Sequence, residues 1–129
     1  MAGRVVVSTL NDDTGVLATQ NGMRGIAKAW VNFNGTGTVA IRDSFNVSSI
    51  TDNATGNYTV NFTTAMPNVN YVATMSLAAP DIGNGVVVKS PSVTGNPDLK
   101  STTQLQIIVT NASAVYVDGS QIYVAVLSS

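Results

Sequence analysis

The side chains that could carry chemistry in this chain are few, because the sequence contains no His and no Cys. Without them, the nucleophile–base pairs of common hydrolases cannot be assembled. Asp43 precedes Ser44, but no imidazole is present to activate that hydroxyl. A Ser–Lys arrangement would require Lys28, Lys89 or Lys100, and it is the less favoured interpretation.

Paired carboxylates are the remaining route to acid–base catalysis. A glycosidase needs two carboxyl groups about 5–10 Å apart in a sugar cleft. Asp43 and Asp52 flank a predicted strand at 46–51, so their side chains could approach each other. Asp is also common at strand ends, where it accepts backbone hydrogen bonds in turns. We favour that structural role and predict that the chain is not an enzyme.

Two further motifs contain residue types that bind a cation or a phosphate in other proteins, but neither has the complete sequence pattern of such a site. Asn11, Asp12 and Asp13 offer oxygen atoms of the kind that Ca²⁺ prefers, but the EF-hand spacing is absent. The glycines in the segment 34–37 are not followed by the Lys and Ser/Thr of a phosphate-binding loop. Both segments are typical turn sequences, so we predict no metal and no cofactor.

Aromatic residues could stack on sugars, and Trp30 is the single Trp. Its neighbours Ala29, Val31 and Phe33 are apolar, which favours a role in the core or in a subunit interface over sugar binding. The same argument applies to Tyr71, Tyr116 and Tyr123, whose hydroxyl groups need partners if they are buried.

The composition indicates strands and turns. Charged residues make up 10% of the chain, against about 25% in a typical globular protein. Glu is absent, and Asn, Thr and Val are poor helix formers. The net charge is −1 and the six basic residues are dispersed, so no nucleic-acid-binding patch is expected. The run Val5–Val7 is too short for a signal peptide or a membrane span, which predicts synthesis in a cytoplasm without membrane insertion.

Alternation of apolar and polar residues identifies the strands. It is clear at 26–33 and 57–63, and other candidates are 5–10, 39–43, 46–51, 71–78, 86–88, 105–109, 112–117 and 121–127. Hairpins are predicted at 52–56 and at Asp118-Gly119. The last strand is apolar on both faces, so it should be central in a sandwich or lie against another subunit.

These patterns predict an all-β chain with one antiparallel β-sandwich or barrel-like domain at 26–129. Residues 1–25 are expected to form an extended N-terminal arm that serves in attachment. No internal repeat or linker divides the remainder of the chain.

Three segments carry a resemblance to a known class of proteins: KAWVNFNGTG (28–37), IRDSFNVSSITDN (41–53) and TGNYTVNFTTAMPNVNY (55–71). They resemble a module of tail-fibre and related virion structural proteins in marine and cyanobacterial bacteriophages. The resemblance implies a homotrimeric, β-rich assembly on the virion surface. It therefore implies a non-enzymatic protein that is made in the host cytoplasm and contacts other phage structural proteins.

Two placements on the virion follow from the resemblance. As a short tail-fibre or fibre-tip module, the favoured interpretation, the chain would bind a host surface glycan or receptor. As a capsid decoration (cement) protein, it would join neighbouring capsomers through its N-terminal arm. A carbohydrate-binding module, a soluble cellular lectin and a fragment of a carbohydrate-active enzyme are the minor alternatives.

Candidate site residues follow from these hypotheses. The subunit interface is predicted at apolar positions of the first and last clear strands: Trp30, Phe33, Ile122, Tyr123, Val124 and Leu127. The receptor-facing surface is predicted in two polar loops, 79–85 and 91–103, because recognition residues commonly lie on loops of a rigid scaffold. The loop candidates are Asp81, Asn84, Asn96, Asp98 and Lys100.

Overall fold

The computed structural model describes residues 3–11, 16–18, 24–78, 87–89 and 100–128. The described residues form ten β-strands, which confirms the all-β prediction. The strands are β1 (Thr9–Asn11), β2 (Val16–Ala18), β3 (Ala27–Asn34), β4 (Ala40–Phe45), β5 (Val47–Ala54), β6 (Asn57–Phe62), β7 (Val72–Ala78), β8 (Val87–Lys89), β9 (Gln104–Thr110) and β10 (Gln121–Leu127).

Two antiparallel four-stranded sheets pack against each other as a β-sandwich. The first sheet has the order β4-β3-β10-β7, and the second has the order β5-β6-β9-β8. The strands β1 and β2 form a separate short hairpin within the predicted arm. Because β10 pairs with both β3 and β7, the last strand is central in its sheet, as its apolar pattern predicts.

The core lies between the two sheets and takes alternate side chains from their inner faces. Phe33 of the first sheet and Tyr58 of the second meet edge to face, with ring centroids 5.3 Å apart. Each such buried side chain stabilises the fold by about 1.5–3 kcal/mol. The other core side chains are Ala29, Val31, Val47, Val60, Phe62, Met66, Tyr71, Leu105, Ile107, Val109, Ile122, Val124 and Val126.

A single residue, Asn46, carries the chain from β4 in the first sheet to β5 in the second. Its φ of 54° lies in the left-handed region, which Asn adopts more readily than most residues. Its amide nitrogen donates to the carbonyl oxygens of Lys28 (3.0 Å) and Thr64 (3.1 Å). Its amide oxygen accepts the Thr64 backbone N–H at 2.7 Å, so one side chain fixes this corner of the sandwich.

The hairpin between β5 and β6 is confirmed, and it is tighter than the predicted connection at 52–56. The strand β5 continues to Ala54, so Thr55 and Gly56 alone form the turn. Gly56 has a φ of 64°, and a Cβ atom at this position would lie 2.5 Å from the carbonyl oxygen of Val109. Glycine is therefore required both by the backbone conformation and by the close approach of β9.

The hairpin predicted at Asp118-Gly119 is wrong. A type I′ turn needs positive φ at both central residues, and neither residue has it. The segment 112–117 forms only an isolated bridge to β9, whereas β10 pairs with other strands. The backbone N–H of Gly35 donates to the Gly119 carbonyl at 2.8 Å, next to the paired strands β3 and β10, and the N–H of Val117 donates to the Val109 carbonyl of β9 at 3.1 Å. The segment thus crosses from the second sheet to the first instead of folding back on β10.

Candidate functional site

The outer face of the first sheet is apolar and aromatic. In β3 the inward side chains Ala29 and Val31 are buried, so the intervening Trp30 points outward and is 37% exposed. In β10 the inward Ile122, Val124 and Val126 are likewise buried, which places Tyr123 and Leu127 on the outer side. We call this surface the contact face and define it by Trp30, Phe45, Val72, Tyr123 and Leu127.

Strand register brings these side chains together. Phe45 of β4 lies opposite Trp30 of β3, and Val72 of β7 lies opposite Leu127 of β10. Phe45 and Val72 are 54% and 61% exposed, which is high for large apolar side chains. Exposed apolar side chains grouped in this way mark interaction sites more often than isolated ones do.

A shallow groove of about 410 Å³ crosses the contact face between Trp30 and Tyr123. Asn32, Thr74 and Ser76 supply its polar lining. The amide oxygen of Asn32 is buried and has no hydrogen-bond partner. An unsatisfied buried acceptor costs about 1–3 kcal/mol. A rearrangement of this face, or a binding partner, that brought a hydrogen-bond donor to this oxygen would recover that free energy.

The structure corrects the set of predicted interface residues. Phe33, Ile122 and Val124 are buried in the core of the protomer, with 0%, 0% and 3% of their surface exposed. Their side chains point away from the contact face and cannot line a subunit interface in this fold. For Ile122 and Val124 the sequence does not show which side chains point inward, because both faces of β10 are apolar. Phe33 shares the buried face of β3 with Ala29 and Val31. The predicted subunit interface stays open only for Trp30, Tyr123 and Leu127.

The outer face of the second sheet has the opposite character. Apart from Ile108, which lies opposite Asn57, most side chains of its described part are amides and hydroxyls, and several of them bond to one another across the strands. The Asn61 amide donates to Ser49 Oγ and Thr51 Oγ1, both at 3.0 Å. The Asn53 amide donates to Thr59 Oγ1 at 2.9 Å. We call this surface the polar face; its members are Ser49, Thr51, Asn53, Asn57, Thr59, Asn61, Gln104 and Gln106.

Tyr58 and Asp118 form a polar contact at one edge of the core. The Tyr58 hydroxyl lies 2.6 Å from Asp118 Oδ1 and 2.9 Å from the Gly35 carbonyl oxygen. The same carboxylate oxygen accepts the Gly56 backbone N–H at 2.8 Å. Burial, assisted by the neighbouring carboxylate, raises the pKa of Tyr58 well above its ordinary value. The contact joins three loops, so its role is structural.

Lys100 is the one loop candidate among the described residues. Its ammonium group lies 4.9 Å above the Tyr71 ring and donates to the Tyr71 carbonyl at 3.3 Å. The Tyr71 hydroxyl in turn donates towards the carbonyls of Ser101 and Gln104, each at 3.1 Å. Burial raises the pKa of Tyr71 to about 12. Lys100 is therefore packed against the body; Asp81, Asn84, Asn96 and Asp98 lie outside the described residues.

The carboxylates weighed as a catalytic pair occupy different sheets. Asp43 lies within β4 opposite Asn32, and Asp52 lies within β5 opposite Tyr58. Neither residue is in a turn, which corrects the structural role expected for them. Asp43 accepts the backbone N–H of Ser44 at 2.9 Å. Asp12 and Asp13, for which the sequence predicts a turn and not a cation site, lie outside the described residues.

At one end of the sandwich lies an open groove of about 550 Å³, which we call the end groove. Its apolar lining includes Ile26, Phe45, Ala65, Met66 and Pro67. Ile26 and Phe45 keep 61% and 54% of their surface exposed. Because Phe45 belongs to both surfaces, the end groove is continuous with the contact face.

The described part of the chain contains no group of three or more acidic, His or Cys side chains arranged to hold a metal ion. No helix in the described ranges is long and apolar enough to cross a membrane.

Fold and surfaces together define the chain as an antiparallel β-sandwich with two unlike outer faces. Comparison with known proteins found no matching family model, no matching curated protein and no matching solved structure.

Proposed function

We propose that this chain is a non-enzymatic structural protein of a bacteriophage virion surface, and that it serves as a short tail-fibre module in host adhesion. The proposal begins from the resemblance of residues 28–37, 41–53 and 55–71 to phage fibre modules. These segments build β3 to β6 and the loop that follows, including the Asn46 corner. The likeness therefore covers four of the eight strands of the two sheets, two from each sheet.

The observation that carries the proposal is the difference between the two outer faces. The contact face exposes Trp30, Phe45 and Val72, whereas the polar face presents uncharged amides and hydroxyls already bonded to one another. A protein attached to a virion needs one surface that binds the particle and another that remains exposed to solvent. The side chains that could do chemistry, such as Tyr58 and Asp118, are instead engaged in holding loops.

We propose further that the contact face packs against other copies of the chain in a homotrimer. Three such faces turned towards a common axis would bury Trp30 and Tyr123 and leave the polar faces outside. Closed cyclic assemblies are the common form of homo-oligomers, and aromatic side chains are enriched in their interfaces. Host recognition would then fall to the outward loops 79–85 and 91–103, of which the structure describes residues 100–103.

One observation favours the second placement, a capsid decoration protein. The N-terminal segment Gly3–Ser8 lies outside the strands and exposes Val5 and Val6 by 86% and 76%. A short apolar segment of this kind could join neighbouring capsomers.

Antibody labelling of phage particles that carry the chain separates the two placements. Label on the tail or its appendages supports the tail-fibre proposal, and label spread over the head supports the decoration alternative. Particles whose genome encodes the chain but which bind no antibody, even after partial disruption, contradict both.

A further inference from the structure

We propose that Asn34 is a site of spontaneous deamidation which the folded chain keeps unreactive through the contacts of the next residue, Gly35. In an Asn-Gly pair the backbone nitrogen of the glycine attacks the side-chain carbon Cγ of the asparagine. A C–N bond forms, the amide group leaves as ammonia with the proton of the attacking N–H, and a cyclic succinimide remains. Water then opens the ring to aspartate or isoaspartate. The sequence has three Asn-Gly pairs, of which Asn34-Gly35 lies within the described residues.

Packing of the loop after β3 explains why a glycine follows Asn34. A Cβ atom at position 35 would lie 2.5 Å from the hydroxyl oxygen of Tyr58 and 3.0 Å from Cδ1 of Ile122. Both neighbours are core side chains, which cannot move aside without disturbing the close packing around them. The fold therefore requires glycine at position 35, and with it the dipeptide in which deamidation is fastest.

The backbone around Gly35 is held in a conformation that opposes ring closure. Asn34 ends β3 and pairs with Ala40 of β4, so its backbone is extended. Closure of the succinimide needs the Gly35 nitrogen on the same side as the Asn34 side chain, which an extended backbone does not allow. The Gly35 N–H donates to the Gly119 carbonyl at 2.8 Å, and the Gly35 carbonyl accepts the Tyr58 O–H at 2.9 Å. The attacking nitrogen is thus both engaged and turned away.

The side-chain amide of Asn34 is bound to Thr36. Its nitrogen donates to the Thr36 carbonyl at 2.8 Å, and its oxygen accepts the Thr36 N–H at 3.2 Å and the Thr36 O–H at 2.7 Å. Rotation of the amide towards the Gly35 nitrogen breaks these bonds. The reactive geometry therefore arises when the loop opens locally, and the rate of deamidation follows the population of that opened state.

Peptide mapping by mass spectrometry measures the reaction at each asparagine. The chain is kept at about pH 8 in native buffer and, in parallel, unfolded in guanidinium chloride, and the tryptic peptide 29–42 is followed over time. We expect aspartate and isoaspartate to form at Asn34 at least about tenfold more slowly in the folded chain than in the unfolded one. In guanidinium chloride Asn34 should react about as fast as Asn21 and Asn84, which also precede glycine. Equal rates at Asn34 in the two conditions would overturn the proposal.

Two variants test whether the contacts of Gly35 provide the protection. Tyr58→Phe removes the hydroxyl that holds the Gly35 carbonyl, and it should raise the native rate at Asn34 at least about threefold, because a lost hydrogen bond makes the opened state more populated. Tyr71→Phe is the matched control, since it removes a buried tyrosine hydroxyl that bonds to other carbonyls. It should leave the native rate at Asn34 unchanged.

Each native rate is divided by the rate of the same variant in guanidinium chloride, and circular dichroism confirms the fold of both variants. If the two variants have equal relative rates at Asn34, the Tyr58 contact does not protect this residue and the proposal is wrong. Thr36→Val offers a third variant that leaves the core intact, because Thr36 is exposed. It removes one of the bonds to the Asn34 amide and should also raise the relative rate; an unchanged rate would contradict the role of that bond.

Discussion

Trp30 and Phe45 lie opposite each other across β3 and β4, and both point out of the sandwich. Aromatic residues at the centre of an interface commonly contribute 2 kcal/mol or more each, so their loss should weaken assembly by at least about a hundredfold. The double variant Trp30→Ser, Phe45→Ser should therefore be monomeric in light scattering at concentrations where the wild type is assembled.

The matched control for this variant is Ser49→Ala, Thr51→Ala on the polar face. It changes two outward side chains of the other sheet and should leave the molecular mass unchanged. Equal effects of the two double variants on mass would show that assembly does not use the contact face.

Two substitutions of Asp118 should distinguish the stability that its side chain contributes as a hydrogen-bond acceptor from the stability that its negative charge contributes. In Asp118→Ala the Gly56 N–H and the Tyr58 O–H lose their shared acceptor, which should cost about 2–4 kcal/mol of unfolding free energy. Asp118→Asn keeps an oxygen acceptor, so its cost should be below about 1.5 kcal/mol. Urea denaturation measures both, and an equally large loss in the Asn variant would mean that the charge matters more than the hydrogen bonds.

Stability should fall in alkaline solution because of Tyr58 and Tyr71. Burial raises the pKa of Tyr71 to about 12 and shifts that of Tyr58 in the same direction from the ordinary value of 10.0. The folded state therefore holds both protons more tightly than the unfolded state does. The stabilisation is fully present below pH 10 and is lost as the pH rises from 10 towards 12.

Each tyrosine should reduce the unfolding free energy by at most about 1.4 kcal/mol per pH unit in that window. Urea titrations at intervals between pH 8 and pH 11.5 measure the slope. Tyr71→Phe should make the slope shallower, since it removes one of the two groups that titrate. If the slope is identical in Tyr71→Phe and in the wild type, the raised pKa of Tyr71 does not contribute to the loss of stability in alkaline solution.

Asn46 should be intolerant of substitution because it combines a left-handed backbone with hydrogen bonds across the corner. Asn46→Gly removes the side-chain bonds to Lys28 and Thr64 but keeps the conformation accessible. Asn46→Ala removes the same bonds and adds about 1 kcal/mol of backbone strain. Thermal unfolding should rank the wild type above Gly and Gly above Ala; a more stable Ala variant would refute the role of the φ angle.

Local alternation was sufficient to predict much of the sandwich. Around Tyr58, Val60 and Phe62 the period of two correctly identifies a buried face, because each intervening residue is Asn or Thr. The outward direction of Trp30 likewise follows from its alternation with Ala29 and Val31.

Alternation fails where both faces of a strand are apolar, or where the pairing is distant in sequence. Nothing local distinguishes Val124 from Tyr123, and only the packing of the second sheet decides which one is buried. The outward direction of Phe45 follows from its pairing with Trp30 of β3, which the sequence of β4 alone does not contain.

The bond from Tyr58 to Asp118 joins residues 60 positions apart, so the local Asp-Gly pattern, which predicts a turn, does not contain this contact. The sequence pattern places Asn46 inside the predicted strand 46–51, whereas in the structure it is the single residue between β4 and β5. These residues acquire their roles from tertiary contacts, which no short window of the sequence contains.

The most direct test of the proposed assembly is the molecular mass of the wild-type protein by multi-angle light scattering at micromolar concentration. We predict a mass three times that of the 13.3 kDa chain. A mass of 13.3 kDa throughout that concentration range would contradict assembly through the contact face.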